Sequence, residues 1–402
     1  MRDTRIYGAG ERATTDVALI GGGVIGLAIA RALARRRVRV TLIERFDDFG
    51  MESSRAAAGM LAPQSEANEA NAFFELACAG RELYASFAES LRAETGIDIE
   101  LEKTGTLYLA FTEQDEAEIA HRYRWQKKAG LPVEWLIAKE VRALEPCVSE
   151  HVRAALLFPL DVQVENRRVV EALAASIEKS NVCALLGTNV EALRITHDRI
   201  EGVETSRGFV PASKVVVACG AWTSFIHATN SQEEIGSSKV SSRAHVVSIK
   251  PVRGQMLCFQ AQETAARHVL YSPRGYLVPR LDMRVLAGST TEDVGFDKRV
   301  TNEGVRAIMR HAKEIAPRLI DRMQLIETWA GLRPCAADEH PVIGTATEVK
   351  GLYYATGHYR NGILLAPITG ELVADLILNN VASPLLEAFS PARFHTVGAG
   401  VG

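Results

Sequence analysis

The stretch that most narrows what this chain can become is "DVALIGGGVIGLAIARALARRRVRVTLIE", residues 16 to 44. "DVALIG" is a continuous apolar run, the pattern of a strand buried on both faces. "VIGLAIARALARRR" (24–37) takes up helical spacing, with the small residues Ala28 and Ala32 on one side. "VRVTLIE" (38–44) returns to a strand that ends at Glu44. Strand, helix and strand in this order make a βαβ unit, the start of a parallel sheet.

Its first turn carries G-x-G-x-x-G as Gly21, Gly23, Val24, Ile25 and Gly26. Gly21 permits the tight turn, Gly23 lets backbone approach a pyrophosphate, and Gly26 lets helix and strand pack closely. The N–H groups of the opening helix, around Val24 and Ile25, offer donors and partial positive charge to phosphates. Glu44, followed by Arg45, is placed to accept hydrogen bonds from ribose hydroxyls and to repel a 2′-phosphate. The alternative, a glycine-rich buried turn, does not require strand, helix and acid together. A dinucleotide is expected, with NAD and FAD not separated by this unit alone.

With 402 residues the chain is long enough for two joined domains and a large core. Lys+Arg 46 against Asp+Glu 49 leaves a formal net charge of -3, with no single-sign excess to draw nucleic acid or an anionic membrane. Cys78, Cys147, Cys183, Cys219, Cys258 and Cys335 are scattered without a CxxC pair. That speaks against zinc and disulfide frameworks and suits a reducing, cytoplasmic setting. The first fifteen residues hold no apolar signal core. The longest apolar stretch, Val17 to Ala30, is too short for a membrane span.

Helices are expected over 72–94, 113–128, 166–179, 302–316 and 362–380, and strands over 105–111 and 351–357. Between them, "CALLGTNVEAL", "RIEGVETS" and "FVPASKVVVACG" read as a meander, and "HVVSIKPVRGQMLCF" and "YLVPRLDMRVLAGST" as two strong strand runs. The polar, Ser-rich stretch 227–245 reads as a long loop, and the tail after His395 as frayed.

"SSRAAAGMLAP" (53–63), "VVVACGAW" (215–222), "WAGLRPCAADEHPVIG" (329–344) and "GHYRNGILLAP" (357–367) complete the set of motifs. Together they resemble the D-amino-acid oxidase family of flavoenzymes, and within it the members that oxidise glycine in bacterial thiamine synthesis. The likeness runs from residue 16 to about 380. It implies an α/β fold: a discontinuous Rossmann-like FAD-binding domain (13–98, 160–240 and 328–395) and a substrate domain (99–159 and 241–327) with a mainly antiparallel sheet.

The resemblance also assigns residues. FAD, bound noncovalently, would be held by the βαβ unit and by Ser53 and Ser54. The backbone of Ala58, Gly59 and Met60 would meet the ring and that of Val190 the adenine, with Gly220 lining the same site. His358, Tyr359, Arg360, Asn361, Gly362, Ile363 and Leu364 open a helix aimed at the flavin pyrimidine edge, where its dipole would stabilise reduced flavin. The competing reading of the two serines is an ordinary helix cap. A covalent cysteinyl tether, found in some relatives, would fall near Gly331 and not at Cys335.

Arg333 of "GLRP" matches the arginine that binds the substrate carboxylate as a two-pronged pair. Arg360 matches a second arginine near the substrate, and Tyr276 the tyrosine that touches the same carboxylate. Against these stand blander readings: Arg333 paired with Asp338 or Glu339, Arg360 with a flavin-side carbonyl, and Tyr276 as core, with Tyr271 competing for its role. No general base is required if the amine binds uncharged, and His358 and His340 read as structural.

The implied reaction is oxidative deamination of a small amino acid with O2 as acceptor. D-amino-acid or sarcosine oxidation, a quinone-coupled dehydrogenase and a flavin-bound assembly subunit are its competitors. Relatives commonly self-associate, which allows a homo-oligomer. One departure stands out: Glu165-Asn166, where relatives carry a proline, is expected to alter the entry to a helix and leave the chemistry alone.

Overall fold

The computed structural model describes residues 15–230, 247–262 and 266–394. A six-stranded sheet has the order Val342–Thr345, Leu352–Thr356, Val215–Val217, Val17–Ile20, Val40–Ile43, Cys183–Leu185. Its first pair is antiparallel and every other pair parallel. The period of two along Val17–Ile20 divides the strand between two cores. Val17 and Leu19 face the helices Val24–Arg35, Ala72–Thr95, Asn166–Glu178 and Gly362–Asn379. Ala18 and Ile20 face a four-stranded sheet built from Val190–Thr196, Arg199–Thr205, Gly208–Pro211 and Ala228–Asn230. Both faces are dry, which is why the strand reads as unbroken apolar sequence.

The helices pack closely where the sequence turns small. A Cβ on Gly370 would lie 2.8 Å from the Ala28 carbonyl oxygen, and one on Gly80 2.9 Å from that of Leu364. Helix Gly362–Asn379 is apolar and long enough, by composition, to cross a bilayer, but 67% of it is buried within the protein. Its apolarity serves the core.

The second sheet has eight strands in the order Gln324–Ala336, Ile249–Gln260, Arg284–Gly288, Gly275–Pro279, Val269–Ser272, Thr106–Ala110, Ala154–Phe158, Glu134–Ile137. Only Val269–Ser272 and Thr106–Ala110 run parallel. One face packs on helix Asn302–Ile315 through Leu257, Leu277, Ala287, Ile308 and Ala312. The other covers the cavity described below.

Four expectations need correcting. The presumed meander divides: Cys183–Leu185 and Val215–Val217 join the parallel sheet, and only the strands between them form the small one. "YLVPRLDMRVLAGST" is a hairpin, turned at Met283 with φ 67°. Strand Gln324–Ala336 lies wholly in the large sheet, so the boundary set at 328 cuts an element in two. Residues 228–230 are a strand and no loop; residues 231–245 of that stretch, and the tail from 395, fall outside the described residues.

Candidate active site

A cavity of about 320 Å3 lies between the two sheets. One end is built from backbone. Gly21 has φ +108°, and a Cβ there would sit 2.5 Å from the Ala218 carbonyl oxygen. Helix Val24–Arg35 follows the N-cap Gly23, which has no side chain with which to cap it. Ser54, on the short helix Ser53–Ala56, takes that part: its Oγ accepts the Val24 N–H at 3.0 Å. Ser54 is therefore a cap after all, though for another helix. Glu44 accepts the N–H groups of Gly22 (2.6 Å) and Phe46 (3.0 Å) and still lines the cavity. The Arg45 guanidinium lies 3.9 Å from the Trp222 ring and pairs with Glu52 at 2.7 Å. Val190 and Gly220 line the same end.

The middle is clamped from behind. Gly59 has φ +73°, and a Cβ on it would sit 2.0 Å from the Val164 carbonyl oxygen. Buried Arg280 donates to the carbonyls of Ala58 (2.7 Å) and Val164 (2.8 Å). It also pairs with Glu165 at 3.4 Å. Glu165 caps helix Asn166–Glu178 through the Arg167 N–H. Asn166 donates to the carbonyls of Ser54 (2.9 Å) and Arg55 (3.2 Å). The Glu165-Asn166 departure thus does more than change a helix entry: it fixes the Ser53–Met60 segment against the cavity.

The far end is built from side chains. The register sets Arg333 opposite Val252 and Gly331 opposite Gly254, so Gly254, Met256, Gly331 and Arg333 share the cavity-facing side. Arg333 donates to Ser289 Oγ (2.7 Å) and to the carbonyls of Thr290 (3.1 Å) and Arg253 (3.5 Å). Among the described residues no carboxylate pairs with it, and Asp338 pairs with Arg393 instead. Burial pushes its guanidinium down, and Tyr276 and Glu66 oppose this. The Tyr276 hydroxyl donates to Met256 Sδ at 3.3 Å, and its ring stacks on Tyr271.

Arg360 does find an acid in the chain. Its Nη2 lies 3.7 Å from Glu66 Oε1 and 3.4 Å from the Tyr271 hydroxyl. The Glu66 carboxylate is the largest cause raising the Arg360 guanidinium. The chain reverses sharply here, with Gly357 at φ +70° and Tyr359 at φ +46°. His358 is buried against Thr369 (3.1 Å), and burial holds it down at about 3, neutral near pH 7. Helix Gly362–Asn379 begins on the cavity at Gly362 and Ile363, with no cap from Asn361.

Most of the expected residues border this one cavity. Gly26, Asn361 and Leu364 do not: Gly26 packs on the Gly21 carbonyl, Asn361 is the helix N-cap, and Leu364 lies in the core. Sequence reading missed Glu66, Gly254, Met256, Trp222 and Arg280. Of these Trp222 stood inside the motif "VVVACGAW" without a role assigned to it, and Arg280 was one of three charged residues in "YLVPRLDMRVLAGST".

The N-termini of two helices, a glycine turn and an acid at the second strand's end fit the electron-rich pyrophosphate and pyrimidine regions and the ribose of a flavin dinucleotide. The class defined is a dinucleotide-dependent α/β oxidoreductase. Residues 16–376 match the FAD dependent oxidoreductase (DAO) family, and the chain belongs to it. It is 36% identical over 380 residues to glycine oxidase of Geobacillus kaustophilus, covering 94% of this chain and 97% of the relative. With glycine oxidase of Bacillus subtilis it shares 32% over 388 residues, 95% and 98% of the two chains. The crystal structure of the Geobacillus kaustophilus enzyme superposes with a TM-score of 0.85 at 35% identity, over 93% of this chain and 97% of that one.

Proposed function

We propose that this chain catalyses the oxidative deamination of glycine or a similarly small amino acid. The balance is glycine, O2 and water giving glyoxylate, ammonia and hydrogen peroxide. FAD, when bound, supplies the two-electron acceptor that O2 reoxidises. One observation carries the reading: Arg333, half-buried at the cavity wall, rests on neutral oxygens only among the described residues. A guanidinium so placed gains most from an incoming carboxylate.

In this reading Arg333 takes the substrate carboxylate as a two-pronged pair and Tyr276 turns its hydroxyl from Met256 to the same group. The sheet face bearing them fixes the Cα–H direction, so the contribution is orientation in a closed pocket. His358, neutral and bonded to Thr369, serves the fold. The cofactor is held noncovalently: Cys335 is buried and bonds toward the Ala336 carbonyl. Six free thiols support a reducing compartment.

The test is anaerobic mixing of the flavin-loaded enzyme with glycine, sarcosine, D-alanine and D-proline, followed by oxygen uptake with whichever reduces the flavin. Bleaching by a small amino acid with rapid oxygen uptake is expected. Failure of all four to bleach overturns the proposal, and bleaching with negligible oxygen uptake replaces it with a dehydrogenase.

A further inference from the structure

Resting on that reading, we propose that Glu66 sets the charge selectivity of the pocket. By neutralising Arg360 it leaves Arg333, among the described residues at this end of the cavity, as the one uncompensated cation, and so restricts the site to substrates bearing a single carboxylate. Arg333, Arg360 and Glu66 all line the same cavity. At this end of the cavity these two cations and one anion leave one positive charge, which one carboxylate cancels. A second carboxylate would find no free cation among the described residues and would face Glu66. Rejection by an unpaired charge is how sites commonly discriminate between ligands of similar shape.

The pair is built to be loose at the contact and rigid behind it. At 3.7 Å from Glu66 and 3.4 Å from the Tyr271 hydroxyl, Arg360 keeps 30% of its side chain exposed. It is thus able to turn to another anion if Glu66 loses its charge. Glu66 itself is held by unusual means. It ends the four-residue helix Pro63–Glu66, whose Gln64 and Ser65 N–H groups donate to the fully buried Asp161 carboxylate at 3.2 and 2.9 Å.

On the other side, buried Arg122 donates to the carbonyls of Ser65 (2.9 Å) and Ala67 (2.6 Å), the residues flanking Glu66. Asp161 is in turn paired with Arg81 at 3.3 Å. Three charged side chains withdrawn from water is a large outlay to fix four residues of helix. It is explained if the last residue of that helix must hold its place against Arg360.

The test uses the flavin-loaded protein and two unreactive ligands of one shape, malonate and its half-amide malonamate. They are titrated calorimetrically at a pH where both malonate carboxyls are ionised. The wild type is expected to bind malonamate at least about tenfold more tightly, the factor that about 1.4 kcal/mol represents. In Glu66→Gln that preference should shrink by about tenfold or more, and in Glu66→Gln with Arg360→Gln it should return. Equal binding of the two ligands by the wild type overturns the proposal, even should the variants not fold. So does a Glu66→Gln protein with unchanged preference, or a double variant that keeps the single variant's gain. If the preference holds while no amino acid reduces the flavin, the oxidase reading alone fails. Glycine turnover beside equal binding of the two ligands overturns this inference alone.

Discussion

Gly254→Ala should separate stability from activity. Strand pairing places Gly254 diagonally beside Arg333, and the guanidinium lies over the glycine. A Cβ on Gly254 would fall 2.3 Å from Nη1 and Nη2 of Arg333 and 2.4 Å from Cζ. Contacts between such atoms settle at about 3.5–4.0 Å, so the guanidinium must retreat by about 1 Å or more. It is the free end of a flexible side chain, and the backbone need not follow. The retreat weakens its bonds to Ser289, Thr290 and Arg253. Removing a glycine from a strand interior returns about 0.5–1 kcal/mol in part compensation. The net loss of unfolding free energy should therefore stay near 1–2 kcal/mol, roughly one charge-assisted hydrogen bond.

Activity should suffer more. A displacement of about 1 Å in a positioning group costs on the order of a hundredfold, or about 2.7 kcal/mol, in kcat/KM. Since the carboxylate contact is made before and during reaction, the loss should appear chiefly in KM. Oxygen uptake against glycine concentration, with flavin content and thermal unfolding of the same preparation, checks both halves. A folded, flavin-loaded variant whose kcat/KM stays within about threefold of wild type would refute the placement of Arg333 at the substrate.

Two further outcomes follow from the buried polar groups. Arg280→Met breaks a buried pair with Glu165 and frees the carbonyls of Ala58 and Val164. Arg284 still holds Glu165 at 2.8 Å, so the loss should lie at the low end of the range for such pairs, about 3 kcal/mol in urea unfolding. A loss below about 1 kcal/mol would show that the clamp does not carry the fold. His358 titrates near 6.5 when unfolded and is held at about 3 when folded, so the unfolded chain takes up the extra proton in between. Its contribution is full above about 6.5 and is lost as pH falls toward 3, at up to about 1.4 kcal/mol per pH unit. His358→Gln, which retains a partner for Thr369, should flatten the decline in unfolding free energy between pH 6 and 5; parallel curves would contradict this.

Residues 16 to 44 were legible because their constraints are local. A glycine turn, a small-residue helix and an acid at a strand end each follow from chain geometry over a few residues. Helix Gly362–Asn379 was legible for the same reason, and its start agreed to the residue. Where a decision depended on partners far along the chain, pattern alone did not suffice. Strands Cys183–Leu185 and Val190–Thr196 follow one another closely in the chain, yet they belong to different sheets. The turn at Met283 carries no glycine, proline or asparagine at its left-handed position, so nothing announced the hairpin. Glu66 in "PQSE" resembles any surface acid. Its meaning comes from Arg360, which stands almost three hundred residues later in the chain.

The split in legibility has a structural cause. A parallel sheet covered on both faces cannot offer side chains to a ligand from its strands, so it presents helix termini, N–H groups and close backbone. Those demands fall on glycine and small residues, which leave a recognisable spacing. An antiparallel sheet with one open face offers every second side chain. Arg333, Met256 and Tyr276 are presented in that way, and any of them would look ordinary in a strand. The cofactor half of the cavity is therefore written in backbone and the substrate half in side-chain charge. Specificity should change through substitutions at the second half, at Glu66 before all others, while the glycines of the first stay fixed.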